Sequence, residues 1–397
     1  MSWSFPKWRS VSHCGCRTLI STGIALSTAW PFTPIRAQST IVELEAEAGG
    51  VISSNPLMLT DGRSALMGEV ALHPRIRTEF PTGSMLDFSA RVADRQYSRD
   101  FGNILVGNAV TEMLYRRNER LSLRGRALIE RDVLADRITS GLDAAVSSRA
   151  VRAGYGALIG ADWRPDVYWE IRPEVHLDGS HYNVAGLFDT RTIGADLSIS
   201  RRLSPYTRLG ARFGVDRNRA DGVGSFTVAS AIFVMSQRFS PHLRGDFELG
   251  VQHYGSRPTF AAGVPSVQKG TLNLLNVKGE LCHESTRTSA CFTTELGSGV
   301  TAVGGAERRF VVGGRITHRL AERLSLSASA DYQRVKLLES DVPHLRSAQV
   351  RLALDHDLGR RLTLGGIAEY RRRETFGAQT VDAGYLGLRL RYRWRRP

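Results

Sequence analysis

The sequence predicts an all-β protein: a transmembrane, antiparallel, up-and-down β-barrel of roughly 18 strands, preceded by a cleaved signal peptide. Three observations lead to this prediction. Segments with one apolar and one charged face recur along the chain, the links between them alternate between short and long, and the chain begins with a basic and then an apolar segment. Short turns at one end and longer loops at the other are typical of outer-membrane barrels.

The clearest strand lies near the end of the chain, at residues 384–394. Side chains of a strand alternate between its two faces, and here one face is apolar while the other is cationic. The apolar set is Leu386, Leu388, Leu390, Tyr392 and Trp394, and the cationic set is Arg389, Arg391 and Arg393. About ten alternating residues cross a bilayer as a tilted strand. One such strand also fits a soluble sandwich, but its recurrence favours the barrel.

The N-terminal segment predicts export from the cytoplasm. A basic stretch precedes the apolar, small-residue run 18–30, and Ile35-Arg36-Ala37 forms an acceptable cleavage site. A short membrane anchor is the alternative, which the shortness of the apolar run disfavours. We therefore expect residues 1–37 to be a signal peptide and residues 38–397 to form the barrel.

The strands follow one another in antiparallel pairs. They are predicted at 40–50, 65–80, 86–92, 104–117, 121–130, 150–163, 167–177, 193–203, 209–215, 226–239, 243–251, 272–282, 291–300, 310–320, 324–332, 350–358, 362–370 and 384–394. Short turns are predicted at 81–84, 118–120, 164–166, 204–206, 240–242, 321–323 and 359–361, and longer links at 53–62, 132–147, 179–190, 216–224, 254–268 and 336–346. With the mature N-terminus in the periplasm, the longer links lie outside the cell.

The charged residues occupy the face opposite the apolar one. The chain has 53 Lys and Arg against 39 Asp and Glu, a net charge of +14. A lipid-facing Arg or Lys at mid-depth costs about 2–4 kcal/mol, so this face is predicted to line the lumen. The candidate lumen-lining residues are Arg208, Arg212, Arg315, Arg351, Arg389, Arg391, Arg393, Glu170, Glu174, Asp246 and Glu248. They would form either an Arg-rich sector that draws anions or a salt-bridge network that braces the lumen.

The two cysteines after the signal segment predict a disulfide. Cys282 and Cys291 flank residues 284–288, which are typical of a turn, so the bond would join the two strands of one hairpin in the oxidising periplasm. His283 is adjacent, but a complete set of metal ligands is not visible. We expect no metal and no cofactor.

The sequence does not favour an enzyme or a nucleic-acid-binding protein. It contains no G-x-S-x-G, no H-E-x-x-H and no Gly-rich phosphate loop. His356 points away from both Asp355 and Asp357 in a strand, and Ser180 with His181 lacks a specific spacing. The arginines are spread at strand spacing rather than in a nucleic-acid-binding motif.

Short motifs give the chain a family resemblance. They are Gly49-Gly50-Val51 followed by Asn55, Arg202-Leu203-Ser204-Pro205, Arg238-Phe239-Ser240-Pro241, and Gly387, Leu390 and Tyr392 at the end. With these motifs the chain resembles the β-barrel porins of Gram-negative proteobacteria, especially the group called β-barrel porin 2. The end of the chain resembles the signal read by the barrel-assembly machinery, except that Arg395-Arg396-Pro397 follow Trp394 where an aromatic residue usually ends the protein.

The resemblance implies a pore in the outer membrane of a Gram-negative bacterium. We expect passive passage of polar or anionic solutes, with outer-membrane lipid and the barrel-assembly machinery as partners. Many porins associate, so a homo-oligomer is a further expectation. Two alternatives stay open: a barrel that exports an acidic exopolysaccharide, and a closed structural or adhesive barrel.

Overall fold

The computed structural model describes residues 39–98, 102–136, 143, 146–221, 224–258, 271–303, 305–338, 344–374 and 379–396. The expected signal peptide, 1–37, lies outside the described residues. Among the residues that are described, no helix is both long and apolar enough to cross a membrane.

The described residues form 18 β-strands and one short 3-10 turn. The strands are β1 Ser39–Ser53, β2 Ala65–Glu79, β3 Met85–Tyr97, β4 Asn103–Arg116, β5 Leu121–Val133, β6 Val151–Trp163, β7 Trp169–Tyr182, β8 Thr190–Arg202, β9 Thr207–Ala220, β10 Gly224–Ser240, β11 Leu243–Pro258, β12 Thr271–Glu284, β13 Thr288–Thr301, β14 Gly305–Ala321, β15 Leu324–Leu337, β16 Leu345–Asp357, β17 Leu362–Glu374 and β18 Thr380–Arg396. The 3-10 turn, Leu134–Asp136, follows β5.

The strands close into a single antiparallel barrel. Each strand pairs with the next along the chain, and β18 pairs with β1 in register from Val42↔Arg396 to Ser53↔Tyr385. The predicted fold class and strand number are therefore confirmed. Closure leaves no unpaired sheet edge, which is what a β-structure inside a bilayer requires.

Several strands run further than their sequence patterns predicted. The long link expected at 216–224 is wrong, because β9 continues to Ala220 and β10 begins at Gly224. The polar residues 216–219 belong to the barrel wall, so polarity alone did not mark the end of the strand. The link predicted at 132–147 is observed at 134–150 and is the longest of those whose ends are described.

The outer face of the barrel is apolar and exposed. Leucine, isoleucine and valine side chains on this face keep large exposed fractions, such as 73% for Ile159, 63% for Ile129 and 66% for Leu388. A soluble protein rarely exposes a continuous apolar surface of this size, so lipid is its natural cover. Trp163, Tyr206 and Trp394 stand near the short-turn end, where interface aromatics are expected.

Candidate functional site

The seam that closes the barrel is lined by ion pairs on its inner side, the side opposite the exposed apolar rows. Three glutamates of β1 stand directly opposite three arginines of β18, as Glu43↔Arg395, Glu45↔Arg393 and Glu47↔Arg391. Glu45 lies 3.0 Å from both Arg393 Nη2 and Arg391 Nε, and Glu47 lies 3.4 Å from Arg391 Nε. Opposite charges placed across strands stabilise the pairing, so this ladder holds the first and last strands together.

Arg389 of β18 pairs in the other direction, across β17, with a carboxylate of β16. Its Nη2 donates to both carboxylate oxygens of Asp355, at 3.0 and 3.2 Å. The three arginines that the sequence singled out on the closing strand therefore each have a carboxylate partner. Their charge is largely balanced within the wall.

The other predicted lumen residues fall into paired and unpaired groups. Glu170, only 4% exposed, accepts hydrogen bonds from Arg208 at 2.7 Å and Arg172 at 2.8 Å. Arg212 and Glu248 pair at 2.5 Å. The remaining pairs are Arg124 with Glu174 at 2.8 Å and Ser236 with Asp246 at 2.5 Å.

Arg315 and Arg351 form a cation-rich sector on β14–β16. Both line a cavity of about 440 Å³ with Arg389, Asp331 and the hydroxyls of Ser327 and Ser329. Within the described part of the chain Arg315 makes no ion pair, and Arg351 approaches Glu369 only at 3.9 Å. These two guanidinium groups are open to a solute in the cavity.

Carboxylates surround a histidine on β7–β9, forming an acid-rich sector. His176 Nε2 lies 3.1 Å from Asp216 Oδ1, and His176 Nδ1 lies 3.5 Å from Asp196 Oδ2. Gly194 leaves room for this contact, since a Cβ there would stand 2.0 Å from Asp216 Oδ1. β8 and β15, the middle strands of the two sectors, are seven positions apart in a ring of 18, so the acid-rich and cation-rich sectors lie on largely opposite walls of the barrel.

Ser180 and His181 do not combine into a catalytic pair. Ser180 Oγ accepts a hydrogen bond from Arg152 Nε at 2.7 Å, and His181 Nδ1 lies 2.6 Å from Asp189. Neighbouring residues of β7 point to opposite faces, which keeps the two side chains apart.

The described residues of the link between β5 and β6, namely 134–136, 143 and 146–150, contact several other strands of the barrel. Asp136 lies 3.3 Å from Arg371 of β17 and also binds Arg95 of β3. Arg371 Nη1 donates a second hydrogen bond, of 2.9 Å, to the carbonyl oxygen of Ala135. One end of the link is thereby tied to strands on both sides of the closing seam.

Asp143 ties the same link to a different part of the wall. It accepts hydrogen bonds from Thr301 Oγ1 at 2.7 Å, from the Ala302 N–H at 2.9 Å and from the Tyr182 hydroxyl at 3.1 Å. Thr301 ends β13, whereas Tyr182 ends β7. The described residues of the link thus bridge widely separated strands.

Apolar packing supports these polar contacts. Leu134 is fully buried against Leu187 and Ala302. On its other side, Ala135 packs against Leu57 of the link between β1 and β2. Residues from four links therefore pack into two apolar clusters, which Leu134 and Ala135 join in sequence. Sequence alternation could not reveal these clusters, because links have no period.

The two aspartates of the link have opposite pKa shifts. Burial raises the pKa of Asp136, but the guanidinium groups of Arg95 and Arg371 outweigh it, and the net pKa is lowered. Burial also raises the pKa of Asp143, where hydrogen bonds from Thr301, Ala302 and Tyr182 only partly compensate, so the net pKa is raised. The charged form of Asp136 is therefore stabilised, whereas burial disfavours the charged form of Asp143.

Two inner clusters have side chains of the types that bind metals. Glu45, Glu47 and His73 come together in one, and Glu174, His176 and Asp196 in the other. The glutamates of both clusters are already bound by arginines, as described above, so we assign no metal to either cluster.

Cys282 and Cys291 are bonded in the structure. They stand directly opposite each other in β12 and β13, with the sulfurs 2.10 Å apart. The bond lies next to the turn at 285–287, at the short-turn end of the barrel.

A closed antiparallel barrel with an apolar exterior and a charged interior is the fold by which proteins cross the bacterial outer membrane. The chain belongs to this class by its architecture, and the architecture places it in the outer membrane of a Gram-negative bacterium.

Comparison with known proteins agrees at the level of fold. OccK2 (OpdF) of Pseudomonas aeruginosa is similar with a TM-score of 0.50 and 10% identity, over 90% of this chain and 98% of that one. The outer membrane protein OpdK of the same organism gives 0.48 and 9%, over 91% and 100%, and Acinetobacter baumannii OccAB3 gives 0.47 and 10%, over 90% and 100%. No family model and no curated protein matches the chain, so the narrower resemblance to β-barrel porin 2 stays a prediction.

Proposed function

We propose that the protein is a porin-like channel that passes small polar and anionic solutes through a lumen narrowed by the described residues of the link between β5 and β6. Support comes from the charged inner face and from the contacts of Asp136 and Asp143, which tie the described residues of the link to the barrel wall. A wetted interior with a fixed constriction is what a selective diffusion channel requires.

The single observation that carries the anion preference is the unequal pairing of the arginines. Arg389, Arg391 and Arg393 are held by carboxylates of their own wall. Among the described residues Arg315 forms no ion pair and Arg351 has only a 3.9 Å contact with Glu369, while Ser327 and Ser329 line the same cavity. A carboxylate or phosphate group can exchange its water for these donors at low cost and leave again, since no donor set surrounds it completely.

The opposed sectors also create an electric field across the lumen. Asp196 and Asp216 lie across the barrel from Arg351, so a field runs between the two walls. A solute with separated charges would turn its anionic end towards β14–β16. The proposed selectivity therefore concerns the placement of charge as well as its sign.

Liposome swelling tests the proposal directly. Vesicles with the refolded protein are placed in a sugar acid and, separately, in its neutral parent sugar of nearly equal size. We expect faster swelling in the sugar acid, and the advantage should disappear in Arg315→Gln/Arg351→Gln. Arg360→Gln/Arg361→Gln, at the short turn between β16 and β17, removes the same charge away from the lumen and should behave as wild type. Equal rates for both solutes in the wild-type protein would contradict the anion preference.

Export of an acidic exopolysaccharide is less favoured by the geometry. A polymer needs a continuous wide path, and Asp136 and Asp143 of the β5–β6 link join residues of β3, β7, β13 and β17. We also propose that the barrel-assembly machinery inserts the barrel and that the barrel associates into a homo-oligomer.

A further inference from the structure

A second group of cations lies on the outer face of the barrel, near the ends of β14–β16 that adjoin the long links. Arg334 and Lys336 are exposed, while their strand neighbours Gln333 and Val335 are buried, each 1% exposed, on the inner side. By the same alternation Arg346 shares a face with the exposed Val350, and Arg308 with the exposed Phe310. We call this set the outer-rim cluster: Arg308, Arg334, Lys336 and Arg346.

The members of the outer-rim cluster face each other as like charges. Arg308 stands directly opposite Lys336, and Arg334 directly opposite Arg346. Like charges at such positions destabilise strand pairing, because their Cβ atoms are only about 5 Å apart. The pKa of His344, beside them, is lowered by desolvation and then by Arg334, Lys336 and Arg346.

No carboxylate balances these charges within the described residues. None of the four cluster side chains forms an ion pair there, and Nη1 of Arg308 is buried without a hydrogen-bond partner. The nearby Glu374 accepts from the backbone N–H of Arg346, at 3.1 Å. Glu339 and Asp341 of the adjoining link lie outside the described residues. Among the described residues the cluster thus carries positive charge that no carboxylate pairs with.

The position of the cluster along the membrane normal indicates which part of the membrane surrounds it. Below Arg346 on the same face of β16, the exposed residues Val350, Leu354 and Leu358 mark the lipid-facing band. At about 3.4 Å per residue and a tilt of about 40°, Val350 stands roughly 20 Å above Leu358 along the membrane normal, and Arg346 roughly 10 Å higher still. Since the apolar band of such barrels is about 25 Å tall, Arg346 lies at the level of the outer-leaflet headgroups.

We propose that the outer-rim cluster binds the phosphate groups of a phosphorylated lipid in the outer leaflet. Guanidinium groups bind phosphate through paired, charge-assisted hydrogen bonds, and a phosphate between Arg334 and Arg346 would replace their repulsion by attraction to a common anion. The cluster spans three strands, about 10 Å, which suits a headgroup with more than one phosphate. Because the cluster lies directly above the band that contacts the acyl chains, a lipid headgroup fits this position better than a free anion does.

Binding of lipid A, a bisphosphorylated lipid, by the folded protein in detergent tests this proposal. Native mass spectrometry would count bound lipid A for the wild-type protein, for Arg334→Gln/Arg346→Gln and for Arg308→Gln/Lys336→Gln. We expect each double variant to bind at least about tenfold more weakly, as loss of charge-assisted phosphate contacts predicts. Arg360→Gln/Arg361→Gln, which removes two arginines at the opposite end of β16 and β17, is the matched control and should bind as wild type.

Three results would overturn the proposal. The first is unchanged lipid A binding by both cluster variants, each shown to be folded by its heat-dependent mobility in gels. The second is equal loss in the matched control, which would mean attraction by total charge alone. The third is displacement of lipid A by an equal concentration of inorganic phosphate, which would mark a site for free phosphate.

Discussion

Asp136 Oδ1 lies 3.3 Å from Nη1 of Arg371, although the link that carries Asp136 leaves the wall at β5 and Arg371 belongs to β17. These strands are six positions apart around the ring of 18. The contact therefore joins the link to a part of the wall distant from β5, and together with the Asp143 contacts it holds the described residues of the link in place.

Replacing Asp136 by Asn should loosen the constriction. The change keeps the size of the side chain but removes the charge that binds Arg95 and Arg371, and hydrogen bonds to charged groups contribute about 1.5–3 kcal/mol each. We expect larger and noisier single-channel conductance, with the barrel still folded. Asp61→Asn, an exposed carboxylate in the link after β1, is the control. Unchanged conductance in the Asp136 variant would mean that this contact does not set the pore width.

Asp143 gives a different pattern, because its pKa is raised. The docked link holds a proton on Asp143 more tightly than an undocked link does, so docking strengthens as the pH falls towards and through the raised pKa, and weakens as the pH rises above it. Asp136 has a lowered pKa and stays charged over the same range. We expect conductance fluctuations to decrease as the pH falls from neutral towards this range.

Two substitutions separate the charge of Asp143 from its hydrogen bonds. Asp143→Asn mimics the protonated form and should keep the link docked at every pH. Asp143→Ala leaves the donors of Thr301 and Ala302 without an acceptor, which costs about 1–3 kcal/mol and should raise the conductance. If Asn and Ala behave alike, the hydrogen bonds do not hold the link.

Substitutions along the closing seam should differ in how much they lower the free energy of unfolding. Glu45 binds both Arg391 and Arg393 and is 19% exposed, so Glu45→Gln should lower the free energy of unfolding by about 1.5–3 kcal/mol. Glu43 is 28% exposed and pairs only with the exposed Arg395 among the described residues, whereas Glu45 also binds the half-buried Arg391, so Glu43→Gln should cost less than about 1 kcal/mol. Urea unfolding in detergent measures both, and equal effects would contradict the ladder as a graded seam.

Removing the disulfide should have a modest effect. The bond closes a loop with a sequence separation of 9 between Cys282 and Cys291. Chain entropy predicts a loss of about 2–3 kcal/mol for Cys291→Ser. A thiol-specific label that reacts with both cysteines of the unreduced wild-type protein would contradict the bond itself.

The strands were predictable because each carries its own signal. Leu386, Leu388 and Leu390 alternate with arginines, and a period of two needs only neighbouring residues to be recognised. The pairing of Glu45 with Arg393 could not be predicted in the same way, since it depends on the register in which β1 meets β18 after the chain has closed. The inward course of Asp136 and Asp143 is also set by contacts distant in sequence, and a link offers no periodicity from which to infer them.

The most direct test of the account is the ion conductance of the refolded chain 38–397 in a planar bilayer under a salt gradient. The account predicts discrete conductance steps with a reversal potential that favours anions, and a shift of that potential towards zero in Arg315→Gln/Arg351→Gln. A silent bilayer, from protein that is folded and inserted, would contradict the proposed channel and favour a closed structural or adhesive barrel.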